Sequence, residues 1–167
     1  DGMNGELLDN GLTVENDDYT RRTGGGSAGW RRGGSWVRGD LHHTEDERGF
    51  PGPFGSDPAG SYGGIELVSR GDNTRTVGSV AFFTPLSQRI GLRGQTGFNR
   101  YDSDFASSFG PSSAFSRRWN GGAQLDAAVG HGLDLSAGVD LLRERAGSTY
   151  IRGAASQEIP VERSAAG

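Results

Sequence analysis

The side chains of this chain best suited to chemistry are three histidines, two acidic clusters, a glycine-rich run and an aromatic connection. His42 and His43 are adjacent. On a strand, neighbouring side chains point to opposite faces, so the two cannot easily share a metal ion. His131 lies between Gly130 and Gly132 in a tight turn, with no serine or carboxylate placed to form a nucleophile–base pair with it. Glu15-Asn16-Asp17-Asp18 and Asp102-Ser103-Asp104 supply hard oxygen donors of the kind calcium takes, but neither continues into the spaced ligands of a calcium loop. Both are expected to be solvated loop charge. Gly24-x-Gly26-x-x-Gly29 has the letters of a dinucleotide fingerprint, yet that loop must open a helix, and Trp30-Arg31-Arg32-Gly33-Gly34 opens none. Arg31-Arg32-Gly33-Gly34 shares letters with RNA-binding arginine–glycine segments. A net charge of -4 gives no basic field for a polyanion. With no cysteine there is no thiol nucleophile and no thiolate metal site. The expectation is a non-enzyme with no catalytic residue, cofactor, metal or nucleic-acid partner.

The connection from Arg48 to Tyr62 is different in kind. It carries Phe50, Phe54 and Tyr62, with Trp36 nearby in sequence, and Pro51, Pro53 and Pro58. Prolines reduce the entropy lost when a loop orders. Arg48, Phe50, Phe54 and Tyr62 are therefore candidate ligand contacts. The same residues equally suit a loop that packs on itself.

The elements that must hold these residues are strands. Only 32% of the 167 residues are apolar and 30 are glycine, a poor composition for a soluble globule, while 6 prolines are too few for a proline-rich linker. No window offers the ~20 consecutive apolar residues of a spanning helix. A transmembrane barrel escapes that test, because its strands alternate lipid-facing and lumen-facing residues. Such alternation is plain in three places. Ile90, Leu92, Gly94, Thr96 and Phe98 alternate with Arg89, Gly91, Arg93, Gln95 and Asn99. Trp119, Gly121, Ala123, Leu125, Ala127 and Val129 alternate with Asn120, Gln124 and Asp126. Leu133, Leu135, Ala137, Val139 and Leu141 alternate with Asp134, Ser136 and Asp140.

Thr74 to Thr84 is a further strand whose facing is open, since Val80 and Phe82 compete with Ala81 and Phe83. Leu12 to Tyr19, Ser27 to Arg31 and Trp36 to Thr44 are shorter candidates, broken by Gly24-Gly25-Gly26 and Gly33-Gly34. Tight turns are expected at about 85–88 and 130–132, and long external loops at about 46–72 and 103–114. Trp119 is expected to open the strand after the second long loop, and no strand is expected at the end of the chain. Phe98, Tyr101, Phe115 and Trp119 then fall at the outer membrane interface, and Phe82 and Phe83 at the inner one. The fold expected is all-β: an antiparallel up-and-down transmembrane barrel segment of about six to eight strands, in one domain over 1–167. Its small apolar residues favour a lipid-facing wall over a sandwich core, where they would leave cavities.

Glu47-Arg48-Gly49-Phe50-Pro51-Gly52-Pro53-Phe54-Gly55-Ser56-Asp57-Pro58, followed by Gly64-Ile65-Glu66 and Ser69-Arg70-Gly71, resembles the barrel of TonB-dependent receptors, especially the cobalamin-receptor-like ones. Glu15-Asn16-Asp17-Asp18-Tyr19 is similar to that group as well. The resemblance spans residues 10 to 145 or so and consists of loop letters and strand rhythm. It implies a 22-stranded barrel of the outer membrane, of which this chain is a fragment. It also implies an N-terminal plug and import of a scarce ligand, cobalamin or a metal chelate. The partners it implies are outer-membrane lipid, the transported ligand and an inner-membrane energy-coupling complex reached through parts outside this chain. No functional residue is carried over from it. Two other readings stay open: a small self-contained eight-stranded barrel acting as anchor or adhesin, and a soluble secreted glycan-binding β-domain.

Overall fold

The computed structural model describes residues 16–50, 69–107, 110–130, 132–152 and 155–166. Seven strands follow one another through a single sheet in chain order: β1 (Tyr19–Arg32), β2 (Ser35–Gly49), β3 (Arg70–Pro85), β4 (Ile90–Ser107), β5 (Gly110–Gly130), β6 (Leu133–Arg152) and β7 (Ala155–Ala166). Each pairs antiparallel with its sequence neighbour, so the sheet is an open up-and-down meander with β1 and β7 at its edges. Among the described residues no helix is long and apolar enough to cross a membrane.

Directly paired residues share a face, so the register shows how the alternating patterns add up. Leu92 pairs with Leu125 and Leu125 with Ala137; Gly94 pairs with Ala123 and Ala123 with Val139; Phe98 pairs with Trp119. The three clear patterns are in phase and build one apolar face. The same rungs settle β3: Val80 and Phe82 pair with Thr96 and Gly94 and join the apolar face, leaving Ala81 and Phe83 on the other. Val37, Leu41 and Trp30 extend it across β2 and β1. Several glycines of these strands are seats for rings. A Cβ at Gly94 would collide with the Phe82 ring, and one at Gly78 would lie 2.5 Å from Cε1 of Phe98. An aromatic side chain thus covers the gap left by a cross-strand glycine.

The turns at one end are short. Gly33 (φ 56°) and Gly34 (φ 85°) join β1 to β2. Two successive positive φ values make the turn whose twist matches a two-residue hairpin. Residues 86–89 join β3 to β4, where the Leu86 and Ser87 amides donate to the Ile90 carbonyl at 2.8 and 3.1 Å. Gly130 (φ 106°) and Gly132 (φ 76°) flank the β5–β6 turn, next to a register shift between Ala128 and Gly130.

Several expectations are corrected. Residues 103–114 are not a long loop: β4 runs to Ser107, β5 starts at Gly110, and these two residues pair. Trp119 therefore does not open its strand. The serine-rich stretch reads as loop because neither face is apolar there, but Asp104 with Ser113 and Phe105 with Ser112 form regular rungs. The connection expected over 46–72 narrows, since Gly49 pairs with Arg70, and Pro85 belongs to β3. Gly24-Gly25-Gly26 does not interrupt β1, whose Gly25 lies beside the His42 ring where a Cβ would clash. Of the expected strand Leu12 to Tyr19, residues 16–18 precede β1 without strand structure and 12–15 lie outside the described residues. Tyr101 pairs with Arg75 and Phe83 with Arg93, so both leave the apolar face and cannot belong to an aromatic girdle on it. β7, not expected, contains Pro160 paired with Gly147, in an edge strand where proline is tolerated.

Candidate functional site

Two of the four candidate ligand contacts meet at the end of the sheet opposite the short turns. Arg48 pairs with Gly71 and Gly71 with Phe105, which puts them in one row on the polar face. Phe50 folds back onto this row. A Cβ at Gly71 would lie 2.9 Å from its Cε2, its ring meets Phe105 edge-on with centroids 5.5 Å apart, and the Arg48 guanidinium stands 4.2 Å above its centroid. Asn16 fastens the cluster, because its Nδ2 donates to the carbonyls of Phe50 (3.1 Å) and Ser69 (3.2 Å). The Gly49 amide donates to the Asp18 carbonyl at 2.8 Å, and Arg70 holds the Asp18 carboxylate through two hydrogen bonds of 2.9 and 3.2 Å. Phe54 and Tyr62 lie outside the described residues. Phe105 and Asn16 are members that sequence reasoning missed. Their signal, a small residue at Gly71 opposite Phe105, needs the register to be visible.

The other chemistry-bearing residues are spread over the two faces. His42 and His43 do point to opposite faces, and His43 bonds Thr76 Oγ1 at 2.8 Å and Glu45 at 3.1 Å. Asp102 is on a strand rather than in a loop and is held by Arg100 at 2.5 Å, with Arg117 at 3.6 Å. Among the described residues no group of three His, Asp or Glu side chains could hold a metal. Gly24, Gly26 and Gly29 sit inside β1, opening no helix.

On the polar face several polar side chains bond one another. Asp126 accepts from Arg93 (2.6 Å), Gln124 (2.7 Å) and Ser136 (2.7 Å). Ser79 donates to Asp40 at 2.7 Å, Asn73 to Asp46 at 2.9 Å and Tyr101 to Asn73 at 2.7 Å, while Arg118 pairs with Glu144 at 3.3 Å. Burying so many charges in a dry core would be costly. This is a surface for water.

Among the described residues nothing covers the apolar face. Among the described residues, apart from Tyr19, Leu86, Tyr101 and the bulge residue Val129, the exposed large hydrophobic side chains project from it, among them Trp30 at 56%, Leu135 at 54%, Val139 at 49% and Leu125 at 41% exposure. The sheet has no core of its own: among the described residues the one large side chain fully buried is Asn16. The apolar residues run from Ile90 to Phe98 on β4, Trp119 to Val129 on β5 and Leu133 to Leu141 on β6. Each stretch matches the ~9–11 residues with which a tilted strand crosses a bilayer. Along β5 the stretch is roughly 33 Å long at the usual rise per residue. At a tilt of about 40° it spans ~25 Å, the height of the apolar band on a transmembrane barrel. The strands themselves have 18, 21 and 20 residues, so all three continue well past the band.

The chain matches no protein family, no curated protein and no solved structure.

Proposed function

We propose that this chain is a wall segment of a bacterial outer-membrane β-barrel, belonging to a TonB-dependent receptor that imports a scarce ligand of the cobalamin or metal-chelate type. The observation that carries the membrane part is the uncovered apolar face. Water-soluble monomers rarely leave more than a few hundred Å² of contiguous apolar surface exposed. Here the apolar surface crosses six strands, is band-shaped, and is backed by a polar face, with ion pairs Arg93–Asp126 and Arg118–Glu144, suited to a wet or plugged lumen. The β2–β3 connection is long and lies opposite the short turns, as an external loop of such a wall would, although the β4–β5 and β6–β7 connections at that end are short. The receptor part is supported by the loop letters around Phe50 and by the place of Arg48 and Phe50 at the external rim. A self-contained small barrel is the second reading, favoured by the seven-strand count, which is close to the smallest closed barrels.

The chain has no cysteine, so single cysteines report cleanly on their surroundings. Leu125→Cys and Gln124→Cys, labelled with an environment-sensitive fluorophore, are compared in vesicles whose lipid tails carry bromine. The label on Leu125→Cys should be quenched by the brominated tails and the label on Gln124→Cys should not. Equal quenching of both in the inserted protein, or a chain that folds cooperatively as a water-soluble monomer, would sink the membrane reading.

A further inference from the structure

The external border of the apolar band carries an unusual charge pattern. Arg100 pairs with Arg117 and Arg117 with Arg145, which places three guanidinium groups on one rung of the apolar face. The rung below holds Phe98, Trp119 and Arg143, the last two pairs of the band's edge. Phe115, one rung farther out, has Arg117 at 5.3 Å and Arg145 at 5.9 Å from its ring centroid. Like charges directly opposed across strands weaken a sheet, and on this rung Asp102 is shared between two of the three guanidinium groups. Among the described residues several acidic groups lie near it, Asp104 two rungs farther out on β4 among them. Asp102 accepts from Arg100 and lies near Arg117; Glu45, two strands away, is engaged by His43; Glu162 is the register partner of Arg145 on β7. Arg143 makes no ion pair with a described residue. Arg100 and Arg117 remain 59% and 53% exposed despite Asp102. Between these arginines and the Phe98 and Trp119 rings lies an open cleft of about 400 Å³.

We infer that this cleft binds the phosphate-bearing headgroup of an anionic membrane lipid, with the acyl chains lying on the apolar band below it. The inference rests on the membrane reading above. Guanidinium forks match phosphate oxygens in pairs, Trp119 and Phe98 sit at headgroup height as interfacial aromatics do, and Leu125, Val139 and Leu141 continue downward as an apolar track. Free phosphate would meet the same arginines but would gain nothing from that track.

The test uses the full chain inserted in phosphatidylcholine vesicles doped with phosphatidylglycerol, with the lipid retained after detergent extraction counted by native mass spectrometry. Phosphatidylglycerol should be retained in preference to phosphatidylcholine. Removing two interfacial charges, as in Arg117→Gln with Arg143→Gln, should weaken that retention roughly 30-fold. Arg143→Gln alone leaves every described ion pair intact and should weaken it by roughly 5-fold. Arg38→Gln, on the polar face of β2 and away from the cleft, should leave it unchanged. Equal retention of the two lipids by an inserted protein, or displacement of lipid by inorganic phosphate at matched concentration, overturns the lipid site alone. A chain that folds cooperatively as a water-soluble monomer overturns the membrane reading and the lipid site together.

Discussion

An arginine placed on the apolar face should destabilise the sheet by an amount set by its depth. The band on β5 runs from Trp119 to Val129, so its centre falls at residue 124 and Leu125 lies within about one strand rise, ~3 Å, of the midplane. Leu125→Arg should then cost about 2–4 kcal/mol, the value for arginine at the middle of a barrel's lipid face, while Val129→Arg at the border should cost only ~0–1 kcal/mol. Gln124→Arg is one residue away but projects from the polar face beside Asp126, and should change stability by less than ~0.5 kcal/mol. The assay is equilibrium guanidinium unfolding of protein inserted in vesicles, followed by the fluorescence of Trp30, Trp36 and Trp119. A soluble sandwich makes a different prediction: its core would reject Leu125→Arg and Val129→Arg alike, because both would bury a charge without a partner. Equal costs at 125 and 129, or a cost at 124 as large as at 125, would refute the assignment of faces to lipid and water.

Other perturbations test the local packing. Gly94→Ala should lose about 1–3 kcal/mol, because its Cβ meets the Phe82 ring. Gly26→Ala, with nothing within 4 Å, should gain ~0.5–1 kcal/mol by restricting the unfolded chain, and the same unfolding assay reads both. Gly33→Asn should be neutral and Gly34→Val should cost about 1–2 kcal/mol. Asparagine accepts a positive φ, whereas valine at 85° is strained and its Cβ would press on Pro85 Cγ at 3.3 Å. Asn16→Ala removes two hydrogen bonds, one buried and one part-buried, and should cost about 1–3 kcal/mol, with faster hydrogen exchange at the Gly49 and Phe50 amides.

The strand class and the facing of β4, β5 and β6 were legible because each runs for a full band in strict alternation, and a period of two leaves only one way to sort the residues. β3 was ambiguous because Val80, Ala81, Phe82 and Phe83 give both faces an apolar residue, and only the rung with Gly94 decides between them. The outer halves of β4 and β5 look like loop in the sequence for a physical reason. Where both faces meet water, alternation disappears, and Ser112 and Ser113 look like turn residues although they pair regularly. β7 offers only Ile159 and Val161 around Pro160, too little pattern to outweigh a proline. The Arg48–Phe50 contact was half legible: both residues stood out, but Phe105, distant in sequence, joins them only through the register.

The arrangement of the charges along the strands is harder to reconcile with a soluble β-domain than the exposed hydrophobics alone. A sandwich strand keeps its inward face apolar over its whole length, since the second layer covers it from end to end. Here the same face of β4 that presents Ile90, Leu92 and Phe98 continues with Arg100, Asp102 and Asp104. On β6, Leu135, Val139 and Leu141 are followed by Arg143 and Arg145. The change falls on adjacent rungs of β4, β5 and β6, with aromatic rings Phe98 and Trp119 at the boundary. A second protein layer gives no reason for an abrupt edge at one height across three strands. A bilayer does, because its hydrocarbon ends at one level for every strand that crosses it, and the residues beyond stand in headgroups and water.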